Sequence, residues 1–140
     1  MNDLVGQADL RGPILVIDDD PFMREITRVN LEGAGYTVAL AAHGGDGAVQ
    51  IRALRPLAVV LDFAMPGSSG LEILRDLRAD ARVADTPVVM VSAWTSDDAR
   101  IHAERLGAYW LQKPIMGDTL VRAVQDSVSR ARMASAIAGV

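Results

Sequence analysis

The stretch Ile14-Leu15-Val16-Ile17-Asp18-Asp19-Asp20-Pro21 joins four apolar residues directly to three acidic ones. A short, unbroken apolar run is typical of a strand that is buried on both faces. The acidic residues stand where this strand ends, and Pro21 suits the first turn of a helix. The stretch therefore predicts a strand that carries carboxylates at its carboxyl end and leads into a helix.

Similar apolar runs recur along the chain, with helical segments between them. The predicted strands are Ile14–Asp18, Tyr36–Ala42, Leu57–Asp62, Pro87–Ser92 and Ala108–Gln112. The intervening segments carry apolar residues three and four positions apart, which predicts five helices with these buried faces: Phe22, Ile26 and Val29; Gly47, Ile51 and Leu54; Leu71, Leu74, Leu77 and Ala81; Ala99, Ala103 and Leu106; Leu120, Val124 and Val128. Right-handed crossovers then favour an α/β fold of the flavodoxin-like type, a five-stranded, doubly wound parallel sheet with strand order 2-1-3-4-5 and helices on both faces.

Length and composition restrict the class of protein. The chain has 140 residues, a net charge of −4, no cysteine and two histidines. This predicts one domain over residues 13–133, with tails at 1–12 and 134–140, and it excludes disulfides and a cysteine or histidine zinc centre. The acidic balance argues against a nucleic-acid partner, and the lack of a long apolar run argues against a membrane span. We expect a cytoplasmic protein.

Polar side chains follow four of the predicted strands. Asp18 and Asp19 end the first, Asp62 the third, Ser92 the fourth and Lys113 the fifth. Because the first and third strands are neighbours in the expected order, their carboxylates should lie together and repel one another unless a cation binds. Mg²⁺ is the expected cation, since it prefers oxygen ligands and accepts a phosphate oxygen as a further ligand.

These groups together suit phosphoryl transfer. Asp62 would be the nucleophile, the acidic pair would hold the metal, and Ser92 would donate a hydrogen bond. Lys113 is the single lysine among fourteen basic residues, and its compact ammonium suits contact with a phosphoryl oxygen. Each residue also has a plain structural explanation, such as an acidic helix cap for Asp18–Asp20 or a turn residue for Asp62.

The site residues and their surroundings resemble the receiver domain of two-component response regulators, the CheY-like family, from Pro13 to about Met133. The resemblance lies in four blocks taken in order: the acidic pair Asp18-Asp19, the segment 59–70 around Asp62, the segment 87–93 ending in Ser92-Ala93, and Lys113-Pro114. It implies that Asp62 accepts a phosphoryl group from a sensor histidine kinase or a histidine phosphotransfer protein.

The resemblance also implies the roles of other residues. Mg²⁺ would be held by Asp19, Asp62 and the backbone carbonyl of Ala64, with Asp18 acting through water. The protein would catalyse its own phosphorylation and dephosphorylation without being a turnover enzyme. It would signal to a downstream protein through the fourth helix, fifth strand and fifth helix, and a homodimer is compatible with this prediction.

Two aromatic positions depart from the usual pattern of the family. Ser92 is the expected switch hydroxyl, and counting back three residues from Lys113 to the usual Tyr or Phe of the switch gives Trp110. Tyr109 remains a rival, because the segment 107–113 is one residue shorter than the commonest spacing. Trp94, two residues after Ser92, flanks the site together with Ala64, and its bulk is expected to slow attack by water on the aspartyl phosphate.

Two other functions compete with the phosphoacceptor prediction. One is an inert interaction module with a receiver-like fold. The other is a phosphatase of the haloacid dehalogenase type, in which Asp18 would be the nucleophile and Asp20 the acid and base. The second is weakened by Phe22, which stands where that motif needs Thr or Val, and by the lack of an inserted cap domain.

Overall fold

Five parallel strands form the central sheet of this protein. The computed structural model describes residues 12–65, 67–94, 96–115 and 117–138. The strands are β1 Ile14–Ile17, β2 Val38–Ala41, β3 Ala58–Asp62, β4 Val88–Ser92 and β5 Tyr109–Gln112. Their order is β2-β1-β3-β4-β5, which confirms the predicted doubly wound topology. Each predicted strand is present, with bounds that differ by two residues at most.

Five helices cover the two faces of the sheet. They are α1 Pro21–Gly33, α2 Gly44–Leu54, α3 Gly70–Ala79, α4 Asp97–Arg105 and α5 Gly117–Ala138. One core cluster contains Ile17 of β1 together with side chains of α2, α3 and α4, and the other contains Val16 together with side chains of α1 and α5. Alternate residues of β1 thus serve opposite faces, so the strand is buried throughout.

The prediction that the apolar stripe of α1 faces the core is wrong. Phe22, Ile26 and Val29 are exposed by 69%, 38% and 55%, whereas Leu31, on the opposite side of the helix, is fully buried. The inward side of α1 also includes the polar residues Thr27 and Asn30, which line a small cavity beside Asp62 together with part of Ile26. Apolar spacing could not identify this side, because the apolar stripe of the helix points to solvent. Two smaller errors are Leu54, which is 40% exposed, and Ala81, which lies beyond the end of α3.

The first turn of α3 is closed by a reciprocal pair of side-chain hydrogen bonds. Ser69 and Glu72 form a capping box, in which Ser69 Oγ accepts from the Glu72 N–H at 3.2 Å and Glu72 Oε1 accepts from the Ser69 N–H at 3.3 Å. Ahead of α3, Ala64–Met65 and Ser68–Ser69 pair as a two-stranded antiparallel hairpin that the sequence did not predict. This hairpin connects the end of β3 to the start of α3.

The last helix continues beyond the domain boundary predicted at residue 133. It reaches Ala138, and both Met133 at the predicted boundary and Ile137 on the extension are exposed. The predicted N-terminal tail, apart from Gly12, and residues 139–140 of the predicted C-terminal tail lie outside the described residues. Among the helices that the structure describes, none combines the length and apolar character needed to cross a bilayer.

Asp80, at the end of the sheet away from the acidic residues, forms ion pairs with Arg52 of α2 and with Arg82 after α3. From these ion pairs we predict that the stability of the protein depends on pH. Its carboxylate accepts from Arg82 Nη2 at 3.1 Å and from Arg52 Nε of α2 at 2.9 Å, and these bonds, those of Arg82 first, hold the pKa of Asp80 well below its usual range. Asp80→Asn should therefore lower the free energy of unfolding at pH 7. Because the pKa is lowered in the folded state, this stabilisation is present above about pH 4 and is lost as the pH falls further.

Urea denaturation of wild type and Asp80→Asn between pH 7 and pH 3 measures this effect. Asp76→Asn, an exposed change on α3, is the matched control and should leave the free energy of unfolding unchanged. A stability difference between wild type and Asp80→Asn that is the same at pH 7 and pH 3 would contradict the role of the Asp80 charge.

Candidate functional site

Two buried carboxylates face each other across the carboxyl ends of β1 and β3. Ile17 pairs in register with Leu61, so Asp18 and Asp62 are the next residues on the two neighbouring strands. Both are only 7% exposed, whereas Asp19 is exposed. The topology thus brings together the acidic residues that the sequence predicted to meet.

Asp18, Asp19 and Asp62 are placed to hold a metal ion. Each offers one carboxylate oxygen, and these oxygens lie within 4.8 Å of one another. Carboxylate oxygens are the ligands that hard divalent cations such as Mg²⁺ prefer. The donor set therefore fits the predicted cation.

The electrostatics of the two buried carboxylates favour the binding of positive charge. Burial, reinforced by the negative charge of Asp18, raises the pKa of Asp62 to about 6. Burial also raises the pKa of Asp18. A divalent cation would offset both effects, because it stabilises the ionised form of each carboxylate.

Lys113 supplies a positive charge to the same cluster. Its Nζ lies 3.5 Å from Asp62 Oδ1 and 4.0 Å from Asp18 Oδ2. Its backbone N–H donates to the carbonyl of Ser92 at 2.8 Å, and the Lys113–Pro114 peptide bond is cis. The end of β5 is therefore fixed to the end of β4, with the ammonium directed at the carboxylates.

Ser92 is buried at the end of β4, one residue beyond the partner of Asp62 in the sheet. Its Oγ accepts from the Trp94 N–H at 2.9 Å and donates to the Trp94 carbonyl at 3.2 Å. The predicted hydroxyl is thus at the predicted edge, where it holds the first turn of the loop that follows β4.

Trp110 and Tyr109 lie on opposite faces of the sheet. Met90 pairs with Trp110 and Val89 with Tyr109, and because strand side chains alternate, Trp110 shares its face with Met90 and Ser92. The Trp110 ring contacts Phe63 edge to face at 5.5 Å between centroids. Tyr109, on the other face, lies under the guanidinium of Arg130, 4.4 Å from the ring centroid.

Two residues near the site were not singled out from the sequence. Phe63 directly follows Asp62 and contacts both tryptophans, with its ring 6.0 Å from that of Trp94. Arg24 of α1 donates from Nη1 to the backbone carbonyl of Asp18 at 2.8 Å. The available signals were an aromatic residue beside the nucleophile candidate and an arginine one helical turn after Asp20.

Known proteins share both the sequence pattern and the fold of this chain. The family model described as response regulator receiver domain matches residues 14–125. DNA-binding response regulator MtrA of Mycolicibacterium smegmatis is 35% identical over 122 residues, which cover 86% of this chain and 52% of MtrA. Protein PilH of Pseudomonas aeruginosa is 33% identical over 112 residues, which cover 79% of this chain and 93% of PilH.

A solved structure gives the same result. The Vibrio cholerae chemotaxis protein CheY4 has a TM-score of 0.77 and 28% identity, over 83% of this chain and 98% of that one. The chain spans about half the length of MtrA, so the matched part is one portion of that protein.

Proposed function

This chain belongs to the response regulator receiver family, and on that premise we propose that it stores a signal as an aspartyl phosphate on Asp62. The observation that carries the proposal is the position of the Asp62 carboxylate. It is buried, lies 3.5 Å from the Lys113 ammonium and belongs to a cluster of three carboxylates able to hold a metal ion. A nucleophile, a cation and a metal site in one place are what phosphoryl transfer requires.

In the proposed reaction a carboxylate oxygen of Asp62 attacks the phosphorus of a phosphohistidine on the donor protein. The new P–O bond forms as the P–N bond to the donor's imidazole breaks, and the electron pair of that bond leaves with the imidazole. Lys113 stabilises the negative charge on the phosphoryl oxygens. Mg²⁺, held by Asp19, Asp62 and the carbonyl of Ala64 with Asp18 acting through water, would supply further neutralisation of that charge.

Ser92 and Trp110 are the switch residues in this proposal. Phosphorylation offers the Ser92 hydroxyl a new acceptor, a phosphoryl oxygen, in competition with the carbonyl of Trp94. Trp110 is favoured over Tyr109 because it shares the sheet face of Ser92 and contacts Phe63, the residue after Asp62. The signal then passes from the site to the aromatic residues beside it.

The test is to incubate the protein with acetyl phosphate, with and without Mg²⁺, and to measure intact mass. We expect the gain of one phosphoryl group that depends on Mg²⁺ and that leaves the protein slowly by hydrolysis. No gain under conditions that label a known receiver would favour the inert interaction module.

The phosphatase alternative has less support in the structure. In that reaction Asp20 would exchange a proton with the substrate, yet its Oδ1 accepts from the N–H groups of Phe22 at 2.9 Å and Met23 at 3.4 Å as the N-cap of α1. A carboxylate that caps a helix is committed to a structural contact. Release of phosphate from small phosphate esters with repeated turnover would favour the phosphatase.

The exposed stripe of α1, formed by Phe22, Ile26 and Val29, is proposed as the surface that the phosphohistidine-bearing protein contacts. The stripe begins two residues after Asp20, so it borders the site that the donor's imidazole must reach to within about 3–3.5 Å. Exposed apolar side chains beside such a site suit a partner that binds briefly and then leaves.

The double variant Phe22→Ser, Val29→Ser should distinguish a small phosphodonor, acetyl phosphate, from a protein donor. We expect labelling by acetyl phosphate to be unchanged, because neither side chain belongs to the site. Transfer from an autophosphorylated sensor kinase that labels the wild type should fall about tenfold or more, the equivalent of about 1.4 kcal/mol of lost contact energy. Val49→Ser, an equally exposed apolar change on α2, is the control. Equal transfer to both proteins would contradict this assignment.

The downstream partner is proposed to bind the surface of α4, β5 and α5, in agreement with the sequence prediction. Trp94, in the loop before α4, is 63% exposed, and Ile101 of α4 is exposed as well. Large exposed apolar and aromatic side chains are enriched at protein interfaces. We propose that the phosphohistidine-bearing protein and the downstream partner both bind in the cytoplasm.

Trp94 is also proposed to shield the aspartyl phosphate from water. Its ring packs on Phe63, next to Asp62, while its backbone is held by Ser92. Trp94→Ala should raise the rate of hydrolysis of the phosphorylated protein by about fivefold, the equivalent of roughly 1 kcal/mol in the barrier. The measurement is the decay of the phosphorylated mass, with Trp94→Phe expected to lie between the two. An unchanged lifetime would refute the shielding role.

A further inference from the structure

We infer that Arg24 is a positioning residue for the metal site: its guanidinium holds the acidic turn Asp18–Asp20 in the conformation that presents carboxylate oxygens to a divalent cation. The inference rests on the proposed function in that the cation is taken to be Mg²⁺. Arg24, a side chain of α1, contributes no ligand itself.

Arg24 is bonded to both ends of the turn. Its Nη1 donates to the carbonyl of Asp18 at 2.8 Å, and its backbone N–H donates to the carbonyl of Asp20 at 2.9 Å. Within the turn, the Asp20 N–H donates to Asp18 Oδ1 at 2.9 Å. The other end of Asp18 is fixed by its N–H, which donates to the carbonyl of Ala41 in β2 at 3.1 Å. The turn is therefore tied to the sheet on one side and to Arg24 on the other.

The acceptor that Arg24 uses is the important detail. The turn that Arg24 binds consists of Asp18, Asp19 and Asp20, yet in the part of the chain that the structure describes no carboxylate oxygen lies within 4.0 Å of the Arg24 guanidinium. Arg28, one turn further along the same helix, pairs instead with Glu25 and Glu32. Because Arg24 binds a backbone carbonyl, it orders the turn and leaves the carboxylate oxygens available for a cation.

Two effects of removing Arg24 have opposite signs, and this makes the inference testable. Arg24 carries a positive charge that repels a bound cation, so loss of the charge alone predicts tighter Mg²⁺ binding. Loss of the hydrogen bond to the Asp18 carbonyl makes the turn less ordered. The carboxylate ligands must then become ordered when Mg²⁺ binds, so the affinity for Mg²⁺ falls. Residues that orient metal ligands in this way typically contribute about 10–100-fold in metal affinity.

The experiment measures the dissociation constant of Mg²⁺ by isothermal titration calorimetry for wild type, Arg24→Met, Arg24→Lys and the control Arg28→Met. We expect about tenfold weaker binding in Arg24→Met, a smaller loss in Arg24→Lys and no change in Arg28→Met. Without metal, the amide NMR signal of Asp20 should shift in Arg24→Met and keep its position in Arg28→Met. Urea denaturation identifies the folded variants, and Arg24→Lys serves if Arg24→Met does not fold.

The outcomes separate this inference from the proposed function. Unchanged or tighter Mg²⁺ binding in folded Arg24→Met, or in folded Arg24→Lys if Arg24→Met does not fold, would overturn the positioning role while the proposed function stands. Wild-type protein that binds no Mg²⁺ would overturn both. Weaker binding in the Arg24 variants, with the Arg28 control unchanged, supports the inference.

Discussion

Replacement of Asp62 with Ala is expected to abolish the gain of a phosphoryl group from acetyl phosphate. Asp62 Oδ1 lies 3.5 Å from the Lys113 ammonium, closer than Asp18 Oδ2 at 4.0 Å. The variant therefore loses its nucleophile and keeps only the groups that stabilise charge. Intact mass after incubation with acetyl phosphate and Mg²⁺ measures this directly.

Although Asp62→Ala removes the phosphoacceptor, it should raise the stability of the metal-free protein. Burial and the charge of Asp18 raise the pKa of Asp62 to about 6, so its ionised form destabilises the metal-free protein at pH 7. Because this pKa is raised in the folded state, the destabilisation appears as the pH rises from about 4 to 6. At pH 7 without Mg²⁺, the free energy of unfolding of Asp62→Ala should therefore be roughly 1–2 kcal/mol higher than that of wild type. Urea denaturation measures this difference.

Asp126→Ala is the matched control for both measurements, since it removes an exposed carboxylate from α5. It should be labelled like the wild type and should have the same free energy of unfolding. A phosphoryl group on Asp62→Ala would place the nucleophile elsewhere. A loss of stability in Asp62→Ala at pH 7 without metal would show that the cluster is not repulsive.

Gly70→Ala is expected to destabilise the protein strongly. A Cβ on Gly70 would lie 2.6 Å from the backbone oxygen of Asp62, 2.8 Å from Met90 Sδ and 3.0 Å from Phe63 Cα. Two of these three neighbours are backbone atoms, and the Gly70 N–H already donates to the Phe63 carbonyl at 2.7 Å. The start of α3 and the end of β3 would have to separate, which costs about 2–3 kcal/mol.

Urea denaturation compares Gly70→Ala with Gly33→Ala, a glycine at the end of α1 where an added Cβ meets no atom within 4 Å. The Gly33 variant should be neutral or slightly more stable, because alanine loses less backbone entropy than glycine on folding. Gly70→Ala should also label more slowly with acetyl phosphate, since the displaced backbone is that of Asp62. Equal stability of the two variants would mean that the contact between α3 and β3 is loose.

Much of the fold could be predicted from the sequence because the deciding signals are local. Runs such as Ile14–Ile17 indicate buried strands whatever surrounds them, and right-handed crossovers leave few ways to order five parallel strands. The site follows from the same logic. Once β1 and β3 are neighbours, the residues that end them must meet, so the proximity of Asp18 and Asp62 needed no knowledge of side-chain packing.

The orientation of α1 could not be predicted in this way. Its apolar stripe of Phe22, Ile26 and Val29 has helical spacing, yet the helix buries the side that contains Leu31. Local spacing shows that a stripe exists and cannot tell whether it faces the core or a partner protein. The orientation of α1 is set by its contact with the sheet and by the hydrogen bond from Arg24 to the Asp18 carbonyl.

The sheet, its strand order and the residues at its carboxyl edge follow from the amino-acid sequence, because strand burial is a local property and right-handed crossovers limit how successive strands can be placed. The interactions among those residues depend on the folded arrangement of the chain. The raised pKa of Asp62, the position of Lys113 between two carboxylates and the assignment of Trp110 and Tyr109 to opposite faces arise from groups far apart in the chain. Charge interactions and packing depend on distance in space, and distance in space is set by the whole fold.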